Sequence, residues 1–299
     1  MSTTHTAPVP TVPTTPAPSA ALRGACGARA AAPTADSAAL DATAAAQPLA
    51  TAVAGAAATA QWASPAPAVP TAAPAPTVPL GRLALAALAR GGAILLAGAA
   101  LAASGSLIWI SPATVLIDVL TLAMLALLMR REGRSLADLY RPFLLRDIGW
   151  GLLAFIGTVV VWFVASFIGN LIAYHGAPPM GAMSARLPMW AGLLCFAVMP
   201  LTIALAEEGL YRGYLQPRIG VRFGAGMALV VPALAFSLQH LGFALSSPEA
   251  AVAKLVTTLI AGLFFGALMM AWKRTMPTVI AHWMLDLLFL GLPILMMAL

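Results

Sequence analysis

From Leu83 onward the chain alternates long apolar runs with short polar or basic breaks. The runs are about 20 residues long, the length a helix needs to cross a bilayer. The pattern predicts seven spans, at roughly 84–105, 108–129, 149–172, 190–211, 225–245, 252–272 and 277–298. The expected fold is therefore all-α, a polytopic membrane helix bundle preceded by a disordered N-terminal tail. Residues 1–80 are dominated by Ala, Pro and Thr, and prolines such as Pro8, Pro10, Pro65 and Pro67 exclude a continuous helix there. That stretch lacks a charged segment followed by a compact apolar one, so no cleaved signal peptide is expected.

The breaks carry an orientation. Arg130, Arg131, Arg134, Arg141 and Arg146 sit between the second and third runs, and basic loops are retained in the cytoplasm. With that loop inside, the N-terminus near Arg82 and Arg90 is also inside, as are Arg212, Arg218, Arg222, Lys273 and Arg274. The loops 173–189 and 246–249 fall outside. The expected location is a plasma or inner membrane, with a cytoplasmic N-terminus. Three domains follow: a tail (1–80), two N-terminal spans with the basic loop (81–147), and a core (148–299). Ser135 followed by Asp138 predicts a capped, short interfacial helix.

Composition agrees with lipid as solvent. The chain is 61% hydrophobic and 9% charged, with mean hydropathy +0.91, against about 25% charged residues in soluble domains. The net charge of +6 is a topology signal rather than a nucleic-acid footprint, because the arginines lie between spans. Cys26 and Cys195 have no metal-ligand spacing and are read as inert.

Against this background the ionisable residues inside apolar runs stand out, because a charge near a helix centre costs roughly 2.5–3.5 kcal/mol on insertion scales. Glu207 and Glu208 end one run, His240 lies in a later one, and His282 lies in the last with Asp286 four residues on. Glu208 and Arg212 share a helix face, acid first, which predicts a structural ion pair. Glu207, rotated about 100° away, is left as the catalytic carboxylate. Carboxylates with imidazoles can activate water, so the candidate catalytic set is Glu207, His240, His282 and Asp286.

Taken in order, Glu207-Glu208-x-x-x-Arg212, Phe236-x-x-x-His240 and His282-x-x-x-Asp286 resemble the CPBP family of CAAX prenyl protease type II and bacteriocin-processing proteins, also called ABI. The match is tightest at residues 207–216 and spans about 190–295. Asp286 stands where many members have Asn. The resemblance implies an intramembrane peptidase acting on membrane-associated protein or peptide substrates, with a cavity open to the cytoplasm and bilayer. It leaves two mechanisms open. Glu207 and His240 could activate water directly, with His282 and Asp286 stabilising the oxyanion. Alternatively Glu207, His240 and His282 could bind Zn²⁺. A non-catalytic membrane scaffold or immunity protein is the first rival. A proton-coupled transporter is the second, disfavoured because no inverted repeat is visible.

Overall fold

A computed structural model describes residues 78–179 and 186–299. The tail expected at 1–80 and part of the 173–189 loop lie outside the described residues. The order of helices is α1 (Leu80–Ala103), α2 (Ile110–Arg130), α3 (Arg146–Tyr174), α4 (Met189–Ala197), α5 (Met199–Glu207), α6 (Gln216–Gln239), α7 (Pro248–Trp272), α8 (Met276–Asp286) and α9 (Leu292–Ala298). No strand occurs among the described residues.

Six continuous segments are long and apolar enough to cross a membrane, and the fourth, Met199–Phe243, is 45 residues long. That segment breaks at Gly224, where φ +84° and ψ 173° interrupt the helix. Positive φ is accessible to glycine at little cost because it has no Cβ. The break divides the segment into two passes, which accounts for the expectation of seven.

The fourth predicted span is misplaced, however. A run at 190–211 would start with α4, yet α4 stops after nine residues. Val198 is distorted (φ −105°), and Pro200 has no N–H to continue the ladder. The pass then runs through Glu207 and past Arg212 to the break at Gly224. Hydropathy places Arg212–Arg222 at a membrane surface, whereas Arg212, Tyr214, Leu215 and Gln216 are all buried inside the bundle.

This polar turn is π-helical over Glu208–Leu215. The wider π turn, with i→i+5 bonding, often marks a functional site. It packs beneath the loop that follows α2: Tyr140 Oη donates to the Leu205 carbonyl at 2.8 Å. Gly209 admits that ring, since a Cβ there would lie 2.2 Å from the hydroxyl. The loop itself holds the capped 3₁₀ turn Leu136–Leu139, in which the Ser135 N–H donates to Asp138 at 2.8 Å. That bond keeps the half-buried Asp138 carboxyl below the usual carboxylate range.

Large side chains such as Leu96, Ile156, Phe167 and Leu171 are exposed on the bundle's exterior. In water such a surface would aggregate; in a bilayer it is the solvated face.

Candidate active site

Glu207 and Glu208 close α5 and open the π turn, His240 follows α6, and His282 and Asp286 lie on α8. Three segments distant in sequence thus converge. Glu207, His240, His282 and Asp286 all line one cavity of about 340 Å³, whose remaining wall includes Phe236, Phe243, Phe265 and Phe289.

Glu208 is held twice. Arg212 Nη1 donates to its Oε1 at 3.1 Å, and His282 Nδ1 lies 2.9 Å from the same oxygen. Arg212 is fixed in turn by the Gly262 carbonyl at 3.1 Å and by the ring of Phe236, 4.5 Å from its guanidinium carbon. The ion pair expected from i,i+4 spacing is present. Glu208 also anchors the imidazole across the bundle, a contact the spacing could not reveal. Phe265 stacks on His282 at 5.1 Å.

With Nδ1 committed to Glu208, His282 turns Nε2 into the cavity, 3.7 Å from Glu207 Oε2 and 3.5 Å from Asp286 Oδ2. Neither carboxylate oxygen has a hydrogen-bond partner among the described residues. His240 is oriented similarly: its Nδ1 lies 2.7 Å from the Phe236 carbonyl, which fixes the proton there and frees Nε2. Buried, unsatisfied carboxylate oxygens usually have water or a ligand as partner.

The other oxygen of Glu207 meets a residue that sequence reading set aside. Arg90, taken as a marker of the cytoplasmic end of the first span, is fully buried in α1, and its Nη1 lies 2.8 Å from Glu207 Oε1. Asp118 of α2 accepts from Arg90 Nη2 at 2.7 Å and from Nε at 3.2 Å. Thr202 donates to the second oxygen of Asp118 at 3.0 Å. Gln239, next to His240, accepts from Arg90 and from the Tyr211 hydroxyl, the latter at 2.7 Å. The first two spans therefore build part of the site. The signal was available, since Arg90 and Asp118 are ionisable residues within apolar runs, the criterion that singled out Glu207 and the histidines.

Glu207, His240 and His282 offer chemically suitable zinc donors, with both Nε2 atoms unanchored. As arranged they do not fit the ion. No three His, Cys, Asp or Glu side chains among the described residues converge closely enough to hold a metal. Glu207 is moreover already paired with a guanidinium, which an adjacent dication would repel.

The cavity also extends toward one end of the bundle. Its outer lining, Ile110, Ser111, Phe243 and Lys254, comes from helix ends opposite the basic loops. Trp162, Phe243 and Lys254 are shared with a second cavity of about 250 Å³ that reaches Tyr174 and Ser246. If the basic loops are cytoplasmic, this mouth is external rather than cytoplasmic.

No curated protein and no solved structure matches the chain. Residues 188–288, about a third of its length, match the family model described as type II CAAX prenyl endopeptidase, Rce1-like. All three motifs lie within that match, and the sequence resemblance and the family model point to the same group of CAAX-type intramembrane proteases.

Proposed function

We propose that the protein is an intramembrane endopeptidase in which Glu207 is the general base. The observation that carries this reading is the asymmetry of its carboxylate: Oε1 is tied to Arg90, while Oε2 is buried, unpartnered and aimed at the cavity. A water between Glu207 Oε2 and His240 Nε2 would attack the scissile carbonyl carbon and give its proton to Glu207. The oxyanion of the tetrahedral intermediate would accept from His282 Nε2–H, with Nδ1–H held by Glu208. On collapse the C–N bond breaks and the proton on Glu207 passes to the leaving amine, so the carboxylate is regenerated.

Asp286 is assigned an orienting role. An ionised carboxylate only accepts hydrogen bonds, so it cannot serve the oxyanion directly, but its charge 3.5 Å from His282 Nε2 favours the protonated, donating form of that ring. Membrane-associated peptides are the fitting substrates, because the cavity combines a reactive floor with aromatic walls inside a lipid-facing bundle.

The test is cleavage of a membrane peptide by purified wild type, His240→Ala and His282→Ala, each with and without chelator. Direct activation predicts that both variants lose most turnover, that combining them adds little because they act as a unit, and that chelator leaves the wild type unchanged. Loss of wild-type activity on chelation, restored by Zn²⁺, would replace this mechanism with a metal-dependent one. Full activity of His240→Ala would remove His240 from the mechanism, and absence of cleavage by the wild type would favour a scaffold or transporter.

A further inference from the structure

A further concavity lies away from the active site, on the face that carries the basic loops. It measures about 660 Å³ and is lined by seven cationic side chains against two carboxylates. Two of the cations are held in place and a third lies near a carboxylate. Arg218 pairs with Glu132, donates to the Tyr214 carbonyl at 2.9 Å and lies 3.9 Å over the Tyr214 ring. Arg274 pairs with Asp147 and donates to the Pro142 carbonyl at 2.6 Å. Arg134 reaches Asp138 at 4.0 Å.

The other four, Arg82, Arg131, Arg141 and Lys273, have no ion-pair partner among the described residues. They come from the first turn of α1, the loop after α2 and the residue after α7, so the fold gathers positive charge from three separate segments. A positive-inside bias explains basic residues at this face. It does not explain why they surround a cavity whose wall also includes apolar Val78, Leu139, Val221 and Met269. Cations beside apolar wall, at the end of a membrane bundle, suit a phosphate attached to an acyl chain.

We infer that this cavity binds the phosphate headgroup of an anionic membrane lipid. The unpaired cations supply the charge, the held arginines supply fixed donors, and the apolar wall takes the start of the acyl chains. The site is independent of the proposed peptidase chemistry.

The experiment titrates full-length protein in detergent with phosphatidylglycerol, phosphatidylcholine or inorganic phosphate, reading bound lipid by native mass spectrometry and Tm in parallel. One variant, Arg82→Gln/Arg131→Gln/Lys273→Gln, removes unpaired cations of the cavity. A charge-matched control, Arg130→Gln/Arg146→Gln/Arg222→Gln, removes cations that do not line it. At roughly one decade or slightly less per cation near an anionic surface, the cavity variant should bind phosphatidylglycerol about a hundredfold more weakly and lose its Tm rise. The control should retain both, and phosphatidylcholine should neither bind comparably nor raise Tm. Equal losses in the two variants would reduce the effect to general surface charge and overturn the site. Inorganic phosphate saturating the cavity at lower concentration than phosphatidylglycerol would overturn the lipid assignment in favour of a soluble ion.

Discussion

At the scale of single residues, the account rests on how each side chain is divided between holding and reacting. Arg90 holds Glu207 Oε1 and leaves Oε2 free. Arg90→Lys retains a charge but not the fork that serves Glu207 and Asp118 together, so we expect kcat to fall at least tenfold with KM within a few-fold of wild type. A KM effect with kcat intact would mean that Arg90 contacts substrate instead. Asp286→Asn offers a second residue-scale prediction. The amide keeps the size of the side chain and an oxygen facing His282, so turnover should remain within about tenfold of wild type, the lower limit of a general acid–base effect being about a hundredfold. Inactivation of Asp286→Asn would assign the carboxylate a proton-transfer role in measured pH–rate profiles. The pairs Glu208–Arg212 and His282–Asp286 were legible in the sequence because local periodicity places residues four apart on one face. The His282–Glu208 contact joins residues 74 positions apart, and no local pattern encodes such a separation.

At the scale of elements, two features decide whether the site stays assembled. The Glu208–Arg212 pair is buried, with side chains at most 1% exposed. Breaking a buried pair from one side strands the other charge at about 3–5 kcal/mol. Arg212→Ala should therefore lower Tm as well as activity, and an unchanged Tm would show that the pair does not stabilise the bundle. The second feature is the contact of α1 with the 3₁₀ turn His240–Phe243. A Cβ on Gly98 would lie 2.2 Å from the Gly242 carbonyl oxygen, and one on Gly242 would lie 2.5 Å from that of Ile94. Gly98→Ala must push α1 away from the turn that carries His240, costing about 1–3 kcal/mol as overpacking does, and should impair cleavage. Gly92→Ala, in the same helix but facing open space, should be neutral in both assays, and equal effects would show that the close approach is irrelevant.

At the scale of the whole molecule, the sequence yielded the all-α class and the number of passes because lipid solvent imposes run length. It misjudged the path between Met189 and Gly224. Hydropathy averages over a window and cannot distinguish a polar turn that leaves the membrane from one that is buried within the bundle. Orientation is open to direct measurement. Reporter fusions after Arg141 and Lys273 should behave as cytoplasmic, and those after Pro178 and Ser247 as external. On that topology a cysteine at Ser111, on the cavity wall, should react with a membrane-impermeant thiol reagent applied from outside. Labelling only from the cytoplasmic side, with the fusions as expected, would show that the cavity opens as the family resemblance implies.

The central claim is that Glu207 performs peptide hydrolysis in the membrane, and the most direct measurement compares purified wild type with Glu207→Gln on a membrane-embedded peptide. The substitution keeps the size of the side chain and a hydrogen bond to Arg90 while removing the base. The account predicts cleavage by wild type, at least a hundredfold slower cleavage by Glu207→Gln, and near-normal membrane abundance of the variant. Full turnover by Glu207→Gln would contradict it.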